Sequence, residues 1–252
     1  MRKLLFFAVY LLCLVVPGVV AADTITLVAD EWCPYNCTPG SERPGFMIEI
    51  AESAFGKHGD TVEYKVMPWS RALEETRSGK YTGIVGAYRN DAPDFLFPDA
   101  EVLTAANYFY IKADDTWRYT SFASLDDVSL GVIRDYSYGA ELDGYIKLHK
   151  SDMDRVQIVS GEDALRKNID KLLYGRIRVI VEDRAVMTHY LKQQRHSKEI
   201  IEAGSLGQGK IYIAFSPKLE KASQYAKTLS EEIVRLRKSG ELQIILKKYG
   251  VE

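Results

Sequence analysis

Five short stretches bring aromatic rings and charged groups together: Asp30-Glu31-Trp32 with Tyr35, Trp69 with Arg71, Tyr88-Arg89, Tyr136-Ser137-Tyr138, and Glu182-Asp183. Such a set can bind a small zwitterion. A planar guanidinium grips a carboxylate, an acid takes an ammonium group, and rings that exclude water strengthen both pairs. Catalytic sets are harder to find. No nucleophile stands beside a base, no histidine or cysteine cluster has metal-ligand spacing and no phosphate loop is present, so neither a metal nor a cofactor is expected. His58, His149, His189 and His196 fall on predicted helices, turns or helix ends and read as solvated. Acid chemistry would need a carboxyl of raised pKa in a cleft, and Glu31, Glu182 and Asp183 are the evident candidates.

In an α/β sheet a binding site forms at the carboxyl ends of the strands, so the strands must be located. Thr24 to Ala29 reads as a strand, and Met47, Ile50, Ala51, Ala54 and Phe55 then recur at helical spacing up to Gly56. Val62, Tyr64 and Val66 alternate as a second strand, Ala72, Leu73 and Thr76 mark a short helix ended by Gly79, and Tyr81 to Ala87 forms a buried third strand. After a connecting strand near Tyr108 to Ala113, Ser124 with Asp127 has a capping-box pattern. A second unit then repeats the alternation. Leu130 to Ile133 is a strand, Ser137 caps a helix carrying Tyr138, Leu142, Tyr145 and Ile146, and Val156 to Val159 is a strand. Ser160 and Asp163 cap a helix with Leu165, Ile169, Leu172 and Leu173 inward, Ile177 to Val181 is the next strand, and Asp183 opens a helix reaching about Gln194. A last strand, Ile211 to Phe215, precedes two helices divided by Gly240. Alternation of this kind implies parallel sheets with helical crossovers, and two units imply two lobes with a cleft between them. No shorter internal repeat is visible.

The chain begins with Arg2 and Lys3, an apolar run from Leu4 to Val16, then Pro17, Gly18 and the pair Ala21-Ala22. That is the layout of a secretory signal peptide, with cleavage expected after Ala22 and residues 23 to 252 as the mature chain. The apolar run is shorter than the roughly 20 residues a membrane span needs. Without Arg2 and Lys3 the chain has 31 basic against 35 acidic side chains. It has no basic stripe, so nucleic acid and anionic lipid are not expected partners, and small neutral, zwitterionic or cationic molecules are favoured. Beyond the leader only Cys33 and Cys37 remain, separated by Pro34, Tyr35 and Asn36. In an oxidising compartment they read first as a small disulfide loop stiffening Trp32 and Tyr35, with a redox pair or half a metal site as alternatives.

Several blocks in this order resemble the family 3 extracellular solute-binding proteins of ABC importers, which carry polar amino acids and related small molecules. They are Gly45 with Phe46 to Ala51, Trp69 to Leu73, Ser78 to Tyr81, Ser124-Leu125, Gly175 to Asp183 and Ser239 to Tyr249. The resemblance spans nearly all of residues 24 to 250. It implies a two-lobed type II periplasmic-binding fold, each lobe a mainly parallel sheet flanked by helices, with two interlobe crossings and hinges near residues 105 and 210. One lobe would comprise residues 23 to 105 and 211 to 252, the other residues 106 to 210. The partners implied are a small polar ligand and an ABC permease in the inner membrane, and the chain is expected to act as a periplasmic monomer.

Within that pattern Trp32 and Tyr35 match positions where rings meet the ligand, although Trp32 could instead pack under the disulfide loop. Asp30 and Glu31 flank them. Trp69 and Arg71 follow the second strand, and Arg71 could meet an anion near a helix start or form an interlobe salt bridge. Tyr88-Arg89-Asn90-Asp91-Ala92-Pro93-Asp94 stands where the family has a Thr-Pro-Glu-Arg-like segment whose arginine grips the α-carboxylate; no arginine occupies that place, and Arg89 or Arg71 is the candidate substitute. Tyr136, Ser137 and Tyr138 replace a Gly-Thr-Thr-like turn, where Ser137 could receive an anion or cap its helix. Asp183, beside Glu182, falls at the family's ammonium-binding aspartate and is also an ordinary N-cap. Two other functions use the same scaffold: a periplasmic dehydratase of the cyclohexadienyl type, and a stand-alone ligand sensor.

Overall fold

The computed structural model describes residues 22–194, 196 and 198–251. Apart from Ala22, the predicted signal peptide lies outside them. No helix among the described residues is long and apolar enough to cross a membrane.

The strands form one curled sheet in the order β2-β1-β3-β8-β4-β7-β5-β6. At one end β1 (Thr24–Ala29) pairs in parallel with β2 (Thr61–Val66) and β3 (Gly83–Ala87). At the other end β5 (Leu130–Ile133) pairs in parallel with β6 (Val156–Val159) and β7 (Val179–Asp183). Two long strands join the ends. β4 (Leu103–Lys112) and β8 (Ile200–Phe215) run antiparallel over Leu103↔Ile211 to Lys112↔Ile200, and the last residues of β8 continue onto β3. This is the two-lobed α/β fold that the alternation of strands and helices predicts.

The packing divides accordingly. α1 (Phe46–Gly56), α2 (Trp69–Arg77), α6 (Ala222–Ser239) and α7 (Glu241–Lys248) cover the first group of strands, and their apolar faces share one core drawn from Ile25 to Ala105 and from Ile211 to Val251, joined by Val186. α3 (Ala140–His149), α4 (Ala164–Leu173) and α5 (Arg184–Gln194) accompany the second group, whose clusters draw on residues between Phe109 and Ala203. Phe55 shows how the first core closes, since its ring stands edge-on to Phe215 and Tyr225 at 6.1 and 5.9 Å.

Four local expectations are corrected. The residue capping the Phe122–Leu125 turn is Ser121, with Ser124 returning the capping bond, and that turn is a 3₁₀ helix. Ser137 does not cap α3, which begins after Gly139; its hydroxyl donates to Asp143 at 2.8 Å. Asp163 precedes α4 without a capping bond because its carboxylate is taken by Arg166 and Lys167. β7 ends two residues later than predicted because Glu182 and Asp183 pair with Tyr108 and Asn107 of β4. Both acids therefore sit inside a strand.

The Cys33–Cys37 disulfide closes the loop after β1, and the loop is tied to α1: Phe46 N–H donates to Pro34 O at 3.1 Å and Met47 N–H to Tyr35 O at 2.9 Å. This close approach requires Gly45, whose φ is +110° and whose hypothetical Cβ would lie 2.4 Å from Asn36 Cα and Tyr35 O. Gly45→Ala is therefore expected to destabilise the protein by about 1–3 kcal/mol, read as a lower urea midpoint than the parent's.

Candidate functional site

The site is assembled from strand ends. Asp30 and Trp32 follow β1, Trp69 begins α2 just past β2, Tyr88 and Asp91 follow β3, Tyr136 and Ser137 follow β5, and Glu182 lies near the end of β7. Hydrogen bonds cross between the lobes around the site. Trp32 Nε1 donates to Glu182 Oε1 at 2.8 Å, Tyr136 OH to Asp30 Oδ2 at 2.6 Å, and Trp69 Nε1 to the carbonyl of Asp135 at 2.9 Å. Between them is a cavity of about 20 Å³ lined by Asp30, Trp32, Trp69, Val85, Gly86, Tyr88, Asp91, Tyr136 and Ser137. That is room for roughly one water, so a larger guest requires the lobes to part. Beyond Asp30, Trp32 and Tyr136 lies an outer chamber of about 210 Å³ whose rim includes Glu31, Glu162, Asp163 and Arg166.

The supporting contacts explain the geometry. Asn36 Nδ2 donates to the Asp30 carbonyl at 2.6 Å and to Tyr64 OH at 2.9 Å, so the disulfide loop holds Asp30 directly. Trp32 stacks on Tyr35 with centroids 4.1 Å apart, and the loop bends so that the indole lies on Gly86, where a Cβ would meet the ring at 3.3 Å. Trp69 meets Tyr136 edge-on at 5.8 Å.

Of the sequence candidates, Asp30, Trp32, Trp69, Tyr88, Tyr136 and Ser137 line the inner cavity. Glu31 is exposed at the outer rim. Tyr35 is buried behind Trp32 with its hydroxyl against Asp183. Tyr138 is buried behind the inner cavity's lining, and its hydroxyl accepts from the Ile133 N–H at 2.9 Å. Asp183 caps α5 by accepting the Ala185 and Val186 N–H groups at 2.8 and 3.1 Å, and its other oxygen accepts from Ala106 N–H at 3.0 Å. The N-cap reading thus holds for Asp183, which lines a groove on the far side of Tyr35.

The two arginines are corrections. Arg71 is exposed and bridges Glu75 one turn along α2 at 2.8 Å, because the helix turns Trp69 inward and Arg71 outward. Arg89 donates to the Pro98 carbonyl at 3.1 Å and stacks on Phe97 and Tyr212 at 4.9 and 4.7 Å, leaving it within its own lobe. Neither reaches the cavity. Asp91, not singled out as a site residue from the sequence, does; the signal available was an acid in the segment where an arginine is usual. Its Oδ2 accepts from Tyr88 N–H at 2.6 Å, while its Oδ1 is shut off from solvent without a hydrogen bond.

The electrostatics are one-sided. Burial pushes Glu182, only 1% exposed, up to about 8, and pushes Asp30 and Asp91 up to about 7. Asp183 is raised too, again by burial. Glu182 Oε1 also accepts the Asp183 N–H at 2.8 Å, but its Oε2 is buried without a partner. Unfolding releases these carboxyls to ionise at their ordinary, lower pKa, so the folded chain binds more protons from about pH 4.5 to 8 and loses stability as pH rises through that window. The slope is at most about 1.4 kcal/mol per pH unit for each such proton. Glu182→Gln removes one of them and should make the fall shallower in urea denaturation between pH 5 and 8.5; an unchanged slope would discount Glu182 as its source.

Comparison with known proteins places this geometry. No curated protein matches the sequence. An ancestral arginine-binding protein bound to glutamine superposes with a TM-score of 0.71 at 21% identity, over 91% of this chain and 98% of that one. An amino-acid ABC transporter substrate-binding protein of Streptococcus pneumoniae bound to L-arginine gives 0.71 at 17% identity, over 90% and 94%. A histidine kinase sensor domain similar to periplasmic binding proteins gives 0.74 at 16% identity, over 90% and 96%. At these identities the likeness is one of fold. The family model for bacterial extracellular solute-binding proteins, family 3, matches residues 25–252, and the chain belongs to that family.

Proposed function

We propose that the chain is a periplasmic solute-binding protein that captures a small polar molecule, of the size of an amino acid or a related compound, and delivers it to an ABC permease as a monomer. The lobes are residues 23–105 with 211–252 and residues 106–210, and β4 and β8 serve as the hinge. Residues 1–22 direct export. The observation that carries the reading is the set of interlobe hydrogen bonds around an aromatic cavity, Trp32 to Glu182, Tyr136 to Asp30 and Trp69 to Asp135. A guest seated there touches both lobes at once, so it binds the closed form better than the open one and shifts the population toward closure. A permease reads that closed shape.

One observation favours a second reading, an enzyme: Glu182 is a buried acid raised to about 8, poised to donate a proton at neutral pH. A dehydratase of the cyclohexadienyl type would also have to hold the carboxylates of its substrate. The inner cavity has no arginine or lysine among its lining residues to do so. Binding without turnover fits the residues better, and prephenate or arogenate consumed by the wild type but not by Glu182→Gln would reverse that order.

A thermal-denaturation screen with amino acids, amines, small peptides and organic acids tests the proposal. A ligand at 100 times its dissociation constant adds about 2.7 kcal/mol of stability, and at least one compound is expected to give such a shift. Trp32→Ala, which removes both the cavity wall and the bond to Glu182, should abolish it. Absence of any shift across the panel would sink the assignment.

A further inference from the structure

We propose that the ligand of this cleft is a small organic cation bearing N–H donors and no carboxylate, an amine or a guanidine, and not a zwitterionic amino acid. The inference rests on the reading of the cleft as the ligand site. Its first support is the wall of the cavity. Trp32, Trp69, Tyr88 and Tyr136 supply rings and Asp30 and Asp91 supply carboxyls, whereas no lysine or arginine lines it. Ring faces and carboxylates both attract a cation, the more strongly when water is excluded.

The second support is independent of the first. Glu182, all but fully buried among Tyr35, Tyr88, Tyr136 and Tyr138, has Oε2 without a hydrogen bond, and Asp91 has Oδ1 in the same condition. Buried polar atoms are nearly always paired. Once the lobes part and the carboxyls ionise, these two unpaired acceptors on opposite lobes call for a guest that brings donors to both. An ammonium or guanidinium group does so, and a methylated ammonium without N–H does not.

The candidate carboxylate-binding groups named from the sequence are engaged within the protein. Ser137 Oγ donates to Asp143, Arg71 is held by Glu75 and Arg89 by the Pro98 carbonyl. Arg166, on the rim of the outer chamber, is shared between Asp163 and Asp170. A zwitterion that seated its ammonium in the cavity would bring its own carboxylate against Asp30 or Asp91 without a counter-charge.

Isothermal titration of the mature chain at pH 8 with matched pairs tests this: agmatine and arginine, cadaverine and lysine, putrescine and ornithine, histamine and histidine. In at least one pair the decarboxylated member should bind 30-fold or more tightly than its parent, and Asp91→Asn should weaken that binding at least tenfold while circular dichroism stays unchanged. Asp30→Asn, whose side-chain oxygen can still accept from Tyr136, should weaken it as well and serves if Asp91→Asn fails to fold. An amino acid that outbinds its amine overturns the proposal and leaves the cleft as a solute site. No binding by any of the eight compounds overturns the cation and counts against the cleft itself. Unchanged amine affinity in both variants also overturns it.

Discussion

A carboxyl group that is 1% exposed must find its hydrogen-bond donors inside the protein, and Glu182 finds one of its two across the cleft, in the indole of Trp32. An unpaired buried charge is costly enough that the group takes up a proton instead, which is why Glu182, Asp30 and Asp91 all ionise near or above neutrality. The rest of the architecture serves this arrangement. The disulfide loop and Asn36 hold Asp30 and Trp32 from one side, the strand pairing of β7 with β4 fixes Glu182 on the other, and Gly45 lets α1 dock tightly against the loop that carries the indole.

The same constraint links chemistry to motion. β4 and β8 are continuous through both halves of the sheet, so the first core and the second are joined by a two-stranded ribbon. Parting of the lobes in the proposed binding cycle would separate Trp32 from Glu182 and Tyr136 from Asp30. Tyr88 lies at the crossing, its ring so close to Gly209 that a Cβ there would come within 2.6 Å. A bulkier residue at position 209 would have to displace that ring, which belongs to the cavity wall.

Much of the scaffold is legible from residue order. Apolar spacing locates α1, α2, α4 and α6, alternation and short apolar runs locate the parallel strands, and the cysteine pair locates the loop after β1. The long antiparallel strands are only half visible: Ile200 to Lys210 is polar and glycine-containing, and it is a strand because β4 is there to pair with it. Caps are read less well. Ser137 and Asp163 have the right chemistry for capping, but Asp143 claims the first and Arg166 with Lys167 claim the second.

The sequence by itself determines which rings and acids follow each strand, because the strand-to-loop boundary is a local property of hydrophobic pattern. It also determines that the usual carboxylate-gripping arginine is missing. Only the tertiary structure decides where a side chain points. Arg71 and Trp69 are two residues apart on one helix and so face different ways, and Arg89 finds a carbonyl and two rings nearer than the cleft. Asp91 and Glu182, distant in the chain, both come to bear on Tyr88 because β4 and β8 join the two ends of one curled sheet. Burial then sets their charge, and burial is a property of the assembled lobes that no single segment carries.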